Sequence, residues 1–179
     1  MTALLPWGQP LESVVQFAYV VEDVEAAALL YVERLGVGPW FLRGPFQPPA
    51  GVYRGEPTHA TFEIGHAFSG GMMIELIRQH DDSPSVFNEK PAPERYGFHH
   101  WATLTARFDD ELARLEELGY ERAFSDTLPS GARVQYLDAT RDFPGMIELL
   151  EWNAAHEEAY AEFWRPSVGW DGRDPIRRD

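Results

Sequence analysis

The sequence predicts an α+β fold made of two copies of one βαβββ module. Two strand-like segments align when Gln16 is superimposed on His100, 84 residues later. Each segment leads into an acidic amphipathic stretch that ends in Leu-Gly, at Leu35-Gly36 and at Leu118-Gly119, 83 residues apart. Each copy then closes on a short apolar strand that carries one carboxylate. Because repeats at a fixed period outweigh other fold signals, this alignment indicates two modules of one design.

The first predicted module covers residues 12–79. Residues 14–21 are rich in Val, Phe and Tyr and contain no Gly or Pro, which favours a strand. Asp23 is a typical helix N-cap, and Gly36 provides a C-terminal stop after an amphipathic run. Turn residues then separate three further predicted strands, at residues 38–43, 59–68 and 72–78.

The second predicted module covers residues 97–153 and repeats the same order of elements. After a strand that begins at Phe98, a helix carries leucines at spacings of three, at Leu112, Leu115 and Leu118. Turns that contain Pro and Gly separate three more predicted strands, at residues 122–126, 133–138 and 146–152.

Two segments lie outside the modules. Residues 80–96 are rich in Asp and Pro and are predicted to form a linker. Residues 154–179 begin with a helix-like stretch and continue with several Pro and Gly residues. They are predicted to form a C-terminal helix and an extended tail.

Charge and composition exclude several classes of partner and site. The net charge is −14 and there is no Lys- and Arg-rich run, so the long-range field opposes binding to nucleic acid and to anionic membranes. The absence of cysteine excludes disulfides, thiolate metal sites and cysteine nucleophiles. No stretch approaches bilayer-spanning length. We therefore expect a cytoplasmic protein that binds neither nucleic acid nor membranes.

Four polar residues lie in the middle of the predicted opening and closing strands. Because side chains alternate along a strand, the residues two positions away, on the same face, are mostly apolar. A lone strand Glu or His is more often structural, but an enclosed carboxylate is costly unless it is paired, protonated or bound to a cation. Two carboxylates, an imidazole and an amide suit one divalent Zn, Ni, Co, Mn or Fe ion. The predicted metal ligands are Gln16, Glu75, His100 and Glu148.

The same segments resemble the vicinal oxygen chelate superfamily, which includes glyoxalase I, methylmalonyl-CoA epimerase and bleomycin resistance proteins. The resemblance lies in residues 16–27, in Gly97-Phe98-His99-His100 and in the strands around Glu75 and Glu148, and it covers residues 12–153. It implies that the modules form a cup-shaped mixed sheet around a central site. It also implies one metal ligand from each opening and closing strand, at the four positions named above.

The resemblance further implies a metal-dependent lyase, isomerase or epimerase that moves a proton next to a carbonyl through a metal-stabilised enolate. Glu148 is predicted to act as the base and Glu75 to return the proton, and the reverse assignment stays open from the sequence. His99 is predicted to be structural, because strand alternation turns it away from His100.

The expected substrate is a small apolar or aromatic carbonyl compound, since the sequence has no cluster of basic residues that could bind a CoA or glutathione tail. Aromatic residues are predicted to shape its pocket, at Trp40, Tyr53, Phe62, Trp101 and Phe143.

Two other functions remain open from the sequence. A metal-free protein of the same fold could sequester a small molecule, although members of that kind typically lack the four donors. A ring-cleaving dioxygenase of this superfamily would use two histidines and one glutamate within a module. Only His100 and Glu148 of that set are present. A homodimer is also possible, since sheet edges and an aromatic-rich tail could support one.

Overall fold

The computed structural model describes residues 3–178 and has an α+β architecture. The first half of the chain begins with a long strand, a helix and a second strand, β1 (Ser13–Val20), α1 (Val24–Leu35) and β2 (Trp40–Phe46). A small hairpin and two long strands follow, β3 (Val52–Tyr53), β4 (Glu56–Pro57), β5 (Phe62–Ser69) and β6 (Met72–Gln79). The hairpin differs from the sequence prediction, which has a loop between the second and third strands.

The second half repeats this order without the small hairpin and then adds a helix and a short strand. Its repeat consists of β7 (Gly97–Thr105), α2 (Phe108–Glu117), β8 (Glu121–Thr127), β9 (Arg133–Asp138) and β10 (Met146–Glu151). The helix α3 (Ala154–Trp164) follows, and β11 (Ile176–Arg178) ends the described chain. The sequence predicted an extended tail, but the end of the tail joins the sheet. The strand β11 pairs with β2 in parallel, and Ile176 packs against buried residues beneath α1.

Local signals account for the ends of α1 and the length of α2. The Asp23 side chain accepts a hydrogen bond from the Ala26 backbone N–H, and Gly36 has the left-handed conformation that ends a helix. In α2, Leu112 and Leu115 are buried as their spacing predicts. Leu118 lies just beyond the helix and is 53% exposed. The apolar face of α2 therefore includes two of the three predicted leucines.

All strands form one mixed sheet in which the two halves meet at the centre. The order is β11-β2-β5-β6-β1-β7-β10-β9-β8-β3-β4. The opening strands β1 and β7 are antiparallel neighbours, and each pairs in parallel with the closing strand of its own half, β6 or β10. Residues from β1, β2, β5, β6, β8, β9 and β10 line one common cavity. The sheet therefore curves around that cavity, which is the cup-shaped arrangement predicted from the sequence.

The helices α1 and α2 cover the outer face of the sheet, one for each half. Val24 and Ala28 of α1 pack with Trp40 of β2, while Phe108 and Leu115 of α2 pack in a second outer cluster. The inner face contains the cavity, and α3 lies against it on the side of the first half. Among the described residues, no helix is both long and apolar enough to span a membrane.

We expect Leu115→Ala to lower the free energy of unfolding by about 2 to 4 kcal/mol, because it removes a side chain that is only 4% exposed. The matched control Leu118→Ala removes the same atoms at an exposed position and should change it by less than about 0.5 kcal/mol. Urea unfolding followed by circular dichroism measures both. Equal losses from the two variants would contradict the packing of α2.

Candidate metal centre

The structure brings the four predicted donor residues together at the centre of the sheet. Gln16 lies on β1, Glu75 on β6, His100 on β7 and Glu148 on β10, which are four adjacent strands. Ala18 of β1 pairs with Glu75 on one side and with His100 on the other, so all these residues share one register. The four donors are between 0% and 7% exposed. Their common face is the face that lines the cavity.

Four donor atoms approach one another at similar distances. Gln16 Nε2 lies 3.0 Å from Glu75 Oε2, 3.4 Å from Glu148 Oε2 and 3.5 Å from His100 Nε2. His100 Nε2 lies 3.1 Å from Glu148 Oε2 and 3.5 Å from Glu75 Oε2. Five of the six distances among these four atoms therefore measure between 3.0 and 3.5 Å.

The charges of this group compensate one another. Burial by itself raises the pKa of Glu75, but hydrogen bonds with His100 and His66 outweigh burial and lower that pKa. Burial lowers the pKa of His100, yet the charge of Glu148 and hydrogen bonds with Glu148 and Glu75 raise it overall. These contacts thus favour the charged forms of Glu75 and His100, and an arriving cation would compete with the His100 proton for the same oxygens.

His66 is a residue of this site that the sequence analysis missed. Its Nε2 atom lies 3.0 Å from Glu75 Oε1, and its ring stacks on Phe163 of α3 at 5.3 Å between ring centres. A signal for it does exist in the sequence. The predicted turn at residues 69–71 makes a hairpin, and counting outward from that turn places His66 directly opposite Glu75, as the structure has it.

Two tyrosines also contact the donor group, of which the sequence indicated Tyr136 as an aromatic candidate for the pocket but not Tyr160. Tyr136 of β9 lies opposite Glu148, and its ring centre is 4.8 Å from that of His100. Tyr160 of α3 donates its hydroxyl hydrogen to Gln16 Oε1 at 3.2 Å. Burial raises the phenol pKa of both tyrosines well above the usual value, so both hydroxyls stay protonated at neutral pH. No local pattern in the sequence indicates that α3 reaches this site.

His99 does not turn away from His100, which corrects the sequence prediction. A β-bulge interrupts the pairing of β7 with β1 at His99 and changes the direction of its side chain. The Nδ1 atoms of the two histidines are 2.9 Å apart. Burial lowers the pKa of His99 to about 3, and the charge of His100 contributes to the same shift.

A cavity of about 110 Å³ opens above the donor group. Gln16, Glu75 and Glu148 form part of its floor. The walls are mostly apolar and include Phe46, Phe62, Ile64, Phe87, Phe124 and Leu150, while Arg43 and Asp126 add one charge of each sign. One water molecule, which is one non-hydrogen atom, occupies about 10 to 15 Å³ of such a cavity. The cavity therefore admits a small molecule of roughly ten non-hydrogen atoms.

Only one of the five aromatic residues predicted to shape the pocket lines this cavity, namely Phe62. Trp40 is fully buried on the outer face, where its indole N–H donates to the Val37 carbonyl at 3.0 Å and its ring packs against Tyr31 of α1. Alternation along β2 explains this, because the next residue, Phe41, faces inward and contacts Phe163.

The other three predicted pocket residues also lie elsewhere. Trp101 alternates with His100 and therefore points to the outer face, where it packs against Phe98 and Phe143. Phe143 is 44% exposed in the loop before β10. Tyr53 lies in the β3–β4 hairpin, and its hydroxyl donates to Glu89 at 3.1 Å.

The residue types of the donor set are ones that bind divalent metal ions, but the structure does not arrange them around one. Counted among His, Cys, Asp and Glu alone, no group of three or more in the described chain is arranged to hold one. Four atoms that each lie about 2.0 to 2.2 Å from one tetrahedral ion are about 3.3 to 3.6 Å apart. His100 Nε2 lies 3.1 and 3.5 Å from the two carboxylates, which is close to this range, but Gln16 presents its Nε2 atom, which cannot bind a metal.

Gln16 would need to turn its amide to act as a ligand. It now presents Nε2 to the carboxylates and Oε1 to Tyr160. A rotation by 180° exchanges these two atoms, and Tyr160 can satisfy either orientation because a hydroxyl both donates and accepts. Gln16 can therefore offer Nε2 to the carboxylates without a cation and Oε1 to a cation.

A profile of the Glyoxalase/Bleomycin resistance protein/Dioxygenase superfamily matches residues 15–136. The matched range contains Gln16, Glu75 and His100 and ends before Glu148. No curated protein sequence matches the chain significantly.

Solved structures share the fold at low sequence identity. A hypothetical protein from Bacillus halodurans C-125 gives a TM-score of 0.55 at 18% identity, with 79% of this chain and 94% of that chain covered. Methylmalonyl-CoA epimerase from Mycobacterium tuberculosis gives 0.55 at 15% identity, with 90% and 95% covered. A Streptomyces coelicolor methylmalonyl-CoA epimerase variant in complex with 2-nitronate-propionyl-CoA gives 0.53 at 19% identity, with 80% and 99% covered.

These identities are low, so the structural likeness shows the fold alone. The profile, in contrast, matches more than half of the chain. Together they confirm the resemblance predicted from the sequence. This chain belongs to the glyoxalase/bleomycin resistance protein/dioxygenase superfamily.

Proposed function

We propose that this protein is a divalent-metal-dependent enzyme that moves a proton on the carbon next to a carbonyl, as an isomerase, epimerase or lyase. The observation that supports this best is the close grouping of Gln16, Glu75, His100 and Glu148 at the floor of an apolar cavity. Side chains that only stabilised the fold would have no reason to face a cavity open to small molecules. The enzymes among the structural relatives agree with this proposal but do not specify the reaction.

The four donors would hold the cation, and the cavity would place the substrate beside it. When bound, a divalent cation supplies positive charge that stabilises the negative charge developing on a carbonyl oxygen as a neighbouring proton leaves. The apolar walls exclude water from this region, which strengthens the electrostatic interactions within it.

Glu148 is better suited than Glu75 to take the proton. Glu75 is held at both oxygens, by His66 at Oε1 and by Gln16 at Oε2, and its lowered pKa makes it a weak base. Glu148 makes its contacts with Gln16 and His100 through Oε2, and it also accepts a hydrogen bond from the Tyr136 hydroxyl. We therefore assign proton removal to Glu148 and assign Glu75 mainly to holding the cation, which changes the role that the sequence suggested for Glu75.

The cavity favours a small, mostly apolar carbonyl compound as substrate. Its floor is polar and its walls are largely aromatic and aliphatic. The net charge of −14 gives no general attraction for a phosphate-bearing tail such as that of CoA. We therefore place the substrate specificity of this chain in the shape of the apolar walls.

The purified wild-type protein should bind about one divalent ion per chain after reconstitution, and Glu75→Ala and Glu148→Ala should each lose it. The reason is that each variant removes a charged donor from a four-donor site. Elemental analysis with titration calorimetry measures the stoichiometry. Glu151→Gln is the matched control, because Glu151 lies on β10 like Glu148 but contacts Arg133 and not the donor group. A wild-type protein without metal would refute the proposal and favour the metal-free binding protein.

Glu148→Gln should slow exchange of the proton next to the carbonyl by on the order of 10²- to 10⁴-fold, the usual contribution of a positioned base. Small aromatic and aliphatic α-hydroxyketones in deuterium oxide serve as probes, with deuterium incorporation followed by NMR. Glu151→Gln should exchange like the wild type. Undiminished exchange in Glu148→Gln, with its circular dichroism spectrum intact, would show that another group is the base.

Tyr160→Phe should weaken metal binding by about 5- to 10-fold, which corresponds to the loss of one hydrogen bond of about 1 kcal/mol. The hydroxyl of Tyr160 holds the Gln16 amide, and its loss frees that amide to rotate. Tyr120→Phe also loses one hydroxyl contact, to Asp142 at 3.0 Å, but at a distant position. Competition titration with a chelator measures both, and an equal effect of the two variants would contradict a role for α3 at this site.

A further inference from the structure

The side chains of His99 and His100, which are neighbours in β7, meet on the same side of the strand, contrary to regular alternation. Ala18 pairs with His100 and Tyr19 pairs with Phe98, which leaves His99 as an extra residue in β7. A bulge of this kind changes the direction of a side chain. The His99 ring accordingly lies 4.7 Å from the ring of Phe87.

The loop that leads into β10 approaches the bulge closely at Gly145. A Cβ atom at Gly145, just before β10, would lie 2.5 Å from the His99 carbonyl oxygen and 2.7 Å from a ring carbon of Phe98. Only glycine fits at that distance without a shift of the backbone. The position of His99 is therefore built into the packing between β7 and the loop that leads to β10.

The hydrogen bonds of His99 have one favoured direction. His99 Nε2 lies 3.0 Å from the carbonyl oxygen of Val86, and a carbonyl only accepts, so Nε2 carries a hydrogen. His99 Nδ1 lies 2.9 Å from His100 Nδ1, so one of these two atoms must donate to the other. Donation by His99 would make it a doubly protonated cation packed against Phe87 and a second histidine. Donation by His100 leaves His99 neutral and satisfies both rings.

We infer that His99 is a positioning residue that holds the hydrogen of His100 on Nδ1, so that the Nε2 atom of His100 can present its lone pair to the centre of the four donors. This inference deepens the proposed function and rests on it. A histidine that binds a metal through one nitrogen usually donates its other N–H to a fixed partner, which orients the ring. Here the partner is the neighbouring residue, made available by the bulge.

His99→Leu removes the acceptor and should weaken Zn²⁺ binding by about 10- to 100-fold, the usual effect of losing such a partner. His99→Asn places an amide oxygen near the position of Nδ1 and should retain most of the affinity. His80→Leu is the control, because His80 makes its own side-chain contact, with Glu63 at 3.0 Å, away from the site. Chelator competition with Zn²⁺ measures all four proteins, and equal affinity of His99→Leu and the wild type would overturn the inference.

A second readout does not depend on the metal or on the folding of any variant. In ¹⁵N-labelled wild-type protein without metal, long-range ¹H–¹⁵N spectra report which ring nitrogens carry hydrogen. We expect His100 with hydrogen on Nδ1 and His99 with hydrogen on Nε2 only. Hydrogen on Nδ1 of His99 would overturn the inference. If the expected pattern appears but the wild type binds no Zn²⁺, the hydrogen-bond chain stands and the proposed metal function fails.

Discussion

The burial of two carboxylates inside one sheet is the constraint on which the rest of this structure depends. Glu75 and Glu148 are 7% and 4% exposed, and each lies on a strand whose neighbouring side chains on the same face are apolar. A buried carboxylate must have partners, and these come from the two opening strands, as Gln16 and His100. The requirement ties the four central strands to one register and joins the two halves at a polar centre rather than at an apolar one.

The two halves repeat the backbone but not the chemistry. In the first half, Glu75 is fixed by His66, and Gln16 is fixed by Tyr160 from a helix outside the repeat. In the second half, His100 is held by its neighbour in the strand. A symmetric pair of modules thus carries an asymmetric site, in which Glu75 is held by His66 and Glu148 by Tyr136. This asymmetry is what allows the two carboxylates to have different roles in the proposed reaction.

Sequence reasoning predicted some parts of the site better than others. Repetition and strand alternation predicted four residues that the structure brings together, because both patterns persist in the fold. Alternation from the predicted ligand His100 already places Trp101 on the outer face, so its assignment to the pocket was inconsistent with that pattern. For Trp40, no predicted site residue on the same strand indicated which face looks into the cavity. His66 could have been found from its hairpin. The direction of the His99 ring could not, because a bulge interrupts alternation without a local signal.

The sequence by itself determined the α+β class, the repeat, the end signals of α1 and the face that carries the polar donors. These features follow from periods of two and 3.6 residues and from capping residues, all of which act over a few positions. Only the tertiary structure decided the distances among the donors, the pairing of β11 with β2, the docking of the β3–β4 hairpin on β8 and the approach of Tyr160. Each of these joins residues far apart in the chain, so its free energy depends on the packing of the whole molecule.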